Sequence, residues 1–180
     1  MGNLPLHPLV VHVPLVLAML VPVVVVAILI GDRRRRFGRA SWWTAVAVSG
    51  LLVVGSLASL NTGSREEERV EAIVAESAIE LHEERAETFT WIAGATFILL
   101  FTVPLFRSPE TRSWFGTAGL LASLVVAALA IRVGHSGGSL VYVHNAGAAY
   151  LIDAGSAGTL RTTEQPNDAR SPADHHGEDD

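Results

Sequence analysis

The sequence contains no cysteine and no lysine. Without cysteine the chain has no disulfide, no thiolate ligand and no thiol chemistry, so histidine must supply any haem or soft-metal ligation. Charged residues make up only 17% of the chain, whereas 49% is hydrophobic and the mean hydropathy is +0.37. A soluble domain of 180 residues is usually more polar than this. These absences point to a membrane protein.

Long apolar runs supply what a membrane protein needs. A hydrocarbon core is crossed by about 20 mostly apolar residues in helical form. Four stretches meet that length, at about 9–30, 40–60, 88–106 and 114–133. They predict an all-α, integral membrane four-helix bundle over residues 1–158. Tryptophans near the span ends are predicted to lie at the lipid interface; they are Trp42, Trp43, Trp91 and Trp114.

Arginine predicts the orientation of the spans. Arginines occur in the two short loops that join the first span to the second and the third to the fourth; they are Arg33, Arg34, Arg35, Arg36, Arg39, Arg107 and Arg112. Such loops are typically cytoplasmic, so both termini are predicted to be extracytoplasmic. This topology accounts for the arginines, and nothing favours a nucleic-acid partner. The partner predicted directly is the lipid bilayer.

Two polar segments lie outside the spans. Residues 64–88 contain no glycine or proline and are predicted to form a helix that runs unbroken into the third span, as its extracytoplasmic extension. On that helix His82 shares a face with small residues, which would leave room for a bulky planar group or for close helix packing. Residues 159–180 are acidic and polar, and are predicted to form a disordered tail.

The predicted topology places none of the seven histidines in the cytoplasm. His7 and His12 begin the first span, His82 precedes the third, and His135 and His144 follow the fourth. Five residues from three helix ends can therefore meet in one layer, which predicts a ligand site. The alternative is that histidine is simply tolerated at membrane interfaces. His175 and His176 are assigned to the tail and excluded from the site.

The stretch LHPLVVHVPLVL near the N-terminus contains two of these histidines. Pro14 follows His12 by two residues, and a proline removes a helical hydrogen bond, so an irregular turn is predicted here. Irregular backbone at that depth must be buried in protein or line a polar cavity. This favours His12 facing a site rather than lipid.

The stretch IRVGHSGGSLVYVH follows the fourth span. Arg132 and His135 are three residues apart and should share a helix face, where the arginine could pair with haem propionates, glutamates or lipid phosphates. Gly137 and Gly138, followed by β-prone residues, predict a turn that returns His144 across the top of the bundle. A snorkelling arginine and a helix-ending glycine turn would equally explain the spacing.

These motifs resemble a family of bacterial membrane proteins, domain of unknown function 2231. The resemblance rests on residues 6–17, on Thr62 and Gly63 followed by His82, and on GHSGGSLVYVHNAG at 134–147; it covers about 1–150. The family favours an aromatic residue and a glycine where this chain has Val13 and Asn145. The resemblance implies a four-helix, cytochrome b-like protein of the bacterial cytoplasmic membrane with a haem or metal site, and it implies no established reaction.

Three functions follow as hypotheses. The first is a small protein that binds b-type haem and transfers electrons, in contact with an electron-transfer partner or respiratory subunits, rather than a stand-alone enzyme. The haem-binding candidates are His7, His12, His82, His135, His144 and Arg132. The second is a copper or zinc site formed by His12, His82, His135 and His144. The third is an accessory subunit without a cofactor. No catalytic residue is predicted.

Overall fold

A computed structural model describes residues 10–71, 74–144 and 146–148 of the chain. All of them belong to one compact unit, Met1–Ala149. His7 and Asn145 lie outside the described residues. So do the predicted tail at 159–180 and the histidine pair within that tail.

Four long helices follow one another along the chain. They are α1 (His12–Arg33), α2 (Trp42–Val70), α3 (Glu76–Thr102) and α4 (Pro109–Tyr142), with short 3₁₀ turns at Arg39–Ser41 and Val103–Leu105. All four are long and apolar enough to cross a membrane, which confirms the four predicted spans and the helical fold class. Each helix packs against the next, and α4 also packs against α1, so the bundle closes into a ring.

The surface of the bundle is as apolar as its interior. Large aliphatic side chains are more than half exposed on every helix, for example Val16, Val54, Ile98 and Ile131. A water-soluble bundle would bury such residues, whereas lipid solvates them. The buried residues are instead often small, and buried hydroxyls such as that of Ser123 donate to a backbone carbonyl of their own helix.

The polar segment between the second and third spans does not form one helix as predicted. The helix α2 continues through Thr62 to Val70, α3 begins at Glu76, and the chain reverses between them. The Thr62 hydroxyl donates to carbonyls of the preceding turn, as it does within a continuing helix. Two helical extensions, one at the end of α2 and one at the start of α3, thus replace a single long one. The predicted extension of the third helix is confirmed from Glu76 onward.

The predicted turn at Gly137 and Gly138 is also wrong. The helix α4 continues through both glycines to Tyr142. Glycine costs about 1 kcal/mol relative to alanine inside a helix, a cost that tertiary packing commonly offsets. The irregular turn predicted at Pro14 is also not found, because α1 is helical from His12 and Pro14 lies in its first turn, where a missing N–H removes no helical hydrogen bond.

One of the four tryptophans departs from its predicted interfacial position. Trp43, Trp91 and Trp114 are exposed, at 46%, 78% and 73% of their surface. Trp42 is wholly buried and packs against Gly116 of α4. The absence of a side chain at position 116 gives the indole room inside the bundle.

The two arginine loops meet at one end of the bundle. Arg112 is one of the loop arginines from which the orientation was predicted, and it is buried there. It is 7% exposed and makes a bidentate ion pair with Asp32, with Nε to Oδ2 at 2.7 Å and Nη2 to Oδ1 at 2.8 Å. This ion pair joins the last turn of α1 to the first turn of α4. The two residues are 80 positions apart, and no sequence pattern predicted their contact.

Candidate functional site

The opposite end of the bundle brings the histidine-bearing segments together. A side chain at Gly55 of α2 would touch Pro14, and one at Gly134 of α4 would touch Leu15, so the start of α1 lies beside both helices. A side chain at Gly137 would touch the ring of His82, which places the start of α3 beside the end of α4. The described histidines therefore lie at the same end of the bundle.

The helical rise indicates that His12 and His82 lie at a similar depth. Gly134 of α4 lies at about the same depth as Leu15 of α1, and Gly137 of α4 lies at about the same depth as His82 of α3. His12 is three residues before Leu15, or about 4.5 Å along α1, and Gly137 is about 4.5 Å beyond Gly134 on the antiparallel α4. Both steps lead toward the same end of the bundle, so His12 and His82 lie at a similar depth.

His82 is the histidine whose surroundings the structure defines most fully. It is half-buried, and its Nδ1 lies 2.8 Å from the hydroxyl oxygen of Ser136 on α4. The same hydroxyl donates to the carbonyl of Val133 at 2.9 Å. A serine hydroxyl has one hydrogen, so Nδ1–H must donate to Ser136 Oγ in this arrangement. The resulting tautomer places the imidazole lone pair on Nε2.

Gly137 lies against the ring that Ser136 holds. An added Cβ at position 137 would lie 3.2 Å from Cε1 of His82, tighter than ordinary van der Waals contact. An added Cβ at Gly138 would meet nothing within 4 Å. The two neighbouring glycines therefore differ in their structural roles, since only Gly137 makes space for the His82 ring.

Alanine at each glycine measures that contact. Both substitutions should gain about 1 kcal/mol of helix propensity, but Gly137→Ala must also displace the imidazole. We expect Gly137→Ala to be less stable than Gly138→Ala by about 1 kcal/mol or more, compared as unfolding free energies in detergent micelles. Equal stabilities would show that the His82 ring does not pack on this glycine.

The remaining candidate residues differ in exposure. His12, Arg132 and His135 are exposed, and His144 is half-buried just after the end of α4. Arg132 and His135 share one face of α4, as their spacing predicted, and that face is on the outside of the bundle. Within the described residues, no three histidine, aspartate or glutamate side chains form a group that could hold a metal ion.

A family model described as a predicted membrane protein, DUF2231, matches residues 3–150. The chain is a member of DUF2231. The match includes all four helices and the candidate site, and it confirms the family inferred from the histidine-bearing motifs. Searches of curated proteins and of solved structures gave no match to this DUF2231 member.

Ser136 and Gly137 are the site residues that sequence reasoning missed. Both lie in the motif GHSGG, which was interpreted as a turn because of its glycines. The spacing of small and apolar residues along the chain, however, indicates a continuing helix. Small or apolar residues recur at intervals of three and four through the fourth span and continue beyond it, at 123, 126, 130, 133, 137 and 140. That period predicts one packed helix face through Gly137.

Proposed function

We propose that this DUF2231 member binds a b-type haem with His82 as an axial ligand of the iron. The observation that carries the proposal is the hydrogen bond from His82 Nδ1 to Ser136 Oγ. Histidines that ligate metals generally donate their second ring N–H to a fixed acceptor, which sets the tautomer and the ring orientation. Ser136 is itself held by its bond to Val133, so it can serve as that acceptor.

The second axial ligand is proposed to come from another helix at the same end. His12 is at a similar depth to His82 and begins α1, which packs against α4. Helical bundles that hold cofactors use ligands from separate helices in this way. His135 and His144 are the other candidates, and the exposed Arg132 has the charge and geometry to pair with a propionate carboxylate.

Ligand number favours haem over zinc. A structural zinc site takes four protein ligands and a catalytic one takes three. No group of three candidate ligands occurs among the described residues. A haem iron needs only one or two axial side chains, because the porphyrin supplies four nitrogens.

Electron transfer is the reaction class that fits such a site. When bound, haem supplies a one-electron couple, and the protein sets its potential through the ligands and their hydrogen bonds. The residues described here would orient the ligand, through Ser136, and leave space beside it, through Gly137. Arginine-rich loops at the opposite end support an orientation in which the site faces the extracytoplasmic side.

The test is the visible spectrum of the protein purified in detergent, oxidised and reduced. We expect a Soret band and sharp reduced α and β bands in the wild type, and loss of most haem in His82→Ala. Ser136→Ala should lower haem affinity by about 10- to 100-fold, and Ser136→Thr should retain more of it, since threonine keeps the acceptor oxygen.

A matched control removes two histidines that are excluded from the site. His175→Ala with His176→Ala should leave haem content unchanged. A colourless protein that contains stoichiometric copper or zinc would contradict the proposal in favour of a metal site. A protein with neither haem nor metal would favour a cofactor-free accessory subunit.

A further inference from the structure

Among the described residues, two clefts lie at the arginine-rich end of the bundle. The larger, of about 540 Å³, is lined by Leu29, Asp32, Arg33, Arg35, Phe37, Pro109, Glu110, Arg112 and Ser113. Its three arginines are opposed by two carboxylates, and one arginine is already paired with Asp32. The smaller, of about 390 Å³, is lined by Arg39, Trp43, Pro104, Leu105 and Arg107. We name it the Arg39–Arg107 cleft.

The Arg39–Arg107 cleft has two positive charges and no carboxylate in its lining. Arg39 begins the 3₁₀ turn before α2, and Arg107 follows the turn that ends α3, so two separate loops bring these guanidinium groups to one cleft. Guanidinium groups favour phosphate oxygens, which they can bind through paired hydrogen bonds. The positive charge of the lining therefore favours the binding of an anion.

The rest of the lining is apolar, with Pro104 buried and the other two residues exposed. Trp43 and Leu105 are 46% and 58% exposed, and Trp43 makes an edge-to-face contact with Phe101 at a centroid distance of 5.6 Å. That contact holds the indole in position beside the arginines. An apolar wall adds nothing to the binding of a soluble anion. A lipid, in contrast, presents its glycerol and first methylenes directly below its phosphate. Tryptophan at this level is also typical of the lipid headgroup region.

We propose that the Arg39–Arg107 cleft binds the phosphate headgroup of an anionic phospholipid. The two arginines contact the phosphate, while Trp43 and Leu105 pack against the apolar part of the same lipid. Basic pockets between helices at the cytoplasmic side of a membrane bind anionic headgroups by this chemistry. The site is independent of the proposed haem site, which is at the other end of the bundle.

The test uses the full-length protein in detergent micelles, titrated with phosphatidylglycerol and observed by native mass spectrometry. Arg39→Gln with Arg107→Gln should lower the affinity for phosphatidylglycerol roughly tenfold or more, and each single change should lower it partially. Phosphatidylcholine should bind weakly to both proteins, because its headgroup has no net charge. Thermal unfolding of each variant checks that the fold is retained, which we expect since both arginines are exposed.

The matched control changes Arg34→Gln and Arg36→Gln. These arginines belong to the first arginine loop and line neither cleft, yet their loss removes the same total charge from the same end. Unchanged phosphatidylglycerol binding in the control supports the proposal. An equal loss in both double variants would overturn it and indicate general attraction to a basic surface. Displacement of phosphatidylglycerol by millimolar inorganic phosphate would assign the cleft to soluble phosphate and overturn the lipid assignment.

Discussion

Replacing Arg112 with methionine should destabilise the folded protein by about 3–5 kcal/mol. The side chains of Arg112 and Asp32 are only 8% and 10% exposed, and both nitrogens of the fork are bonded to the carboxylate. Methionine keeps an unbranched apolar stem but leaves the Asp32 carboxylate buried without its cation. An unpaired buried charge loses its hydration and gains no partner.

The measurement is unfolding of the purified protein in micelles with increasing sodium dodecyl sulfate. The control is the double variant Asp32→Leu with Arg112→Met, which replaces both charged side chains by apolar ones. That double variant should recover most of the lost stability, since replacement of a whole buried ion pair is often neutral or stabilising. Arg112→Met unfolding like the wild type would mean that the ion pair does not hold α1 to α4.

A side chain at position 116 should have the second large effect. Gly116 lies directly against the Trp42 indole, and an added Cβ would overlap two ring atoms and touch Leu29. Trp42 is 0% exposed, so the ring has no free space into which to move. We expect Gly116→Ala to cost about 1–3 kcal/mol of unfolding free energy, although alanine is the better helix former.

Gly94→Ala is the matched control for this substitution. It lies within α3, and an added Cβ there meets nothing within 4 Å. The control should therefore be neutral or gain up to about 1 kcal/mol from helix propensity. A fluorescence spectrum would report the same event, because displacement of the Trp42 ring changes its environment. If Gly116→Ala is as stable as Gly94→Ala, the packing of Trp42 against α4 is not as described.

The two proposals concern opposite ends of the bundle and can be separated by these variants. Changes at Arg39 and Arg107 should affect lipid binding and leave any haem spectrum unchanged. Changes at His82 and Ser136 should affect the spectrum and leave lipid binding unchanged. Loss of both properties in any one of these variants would indicate a general effect on folding.

The sequence by itself determined the four membrane-crossing helices and the family, because a span requires a long apolar run and the histidine-bearing motifs are contiguous. It failed where the outcome depended on contacts between distant segments. The glycines of GHSGG favour a turn locally, whereas α4 continues through both of them and Gly137 packs against His82 of α3.

The tertiary structure alone decided which residues become partners. Asp32 and Arg112 are 80 residues apart in the chain and His82 and Ser136 are 54 apart, so no local pattern connects either pair. Trp42 and Trp43 are neighbours in sequence, yet one is buried and the other exposed, because successive residues of a helix point about 100° apart. The placement of the described histidines at one end of the bundle could thus be predicted from the sequence. The Ser136 hydrogen bond, which distinguishes His82 among these histidines, follows only from the way α3 packs on α4.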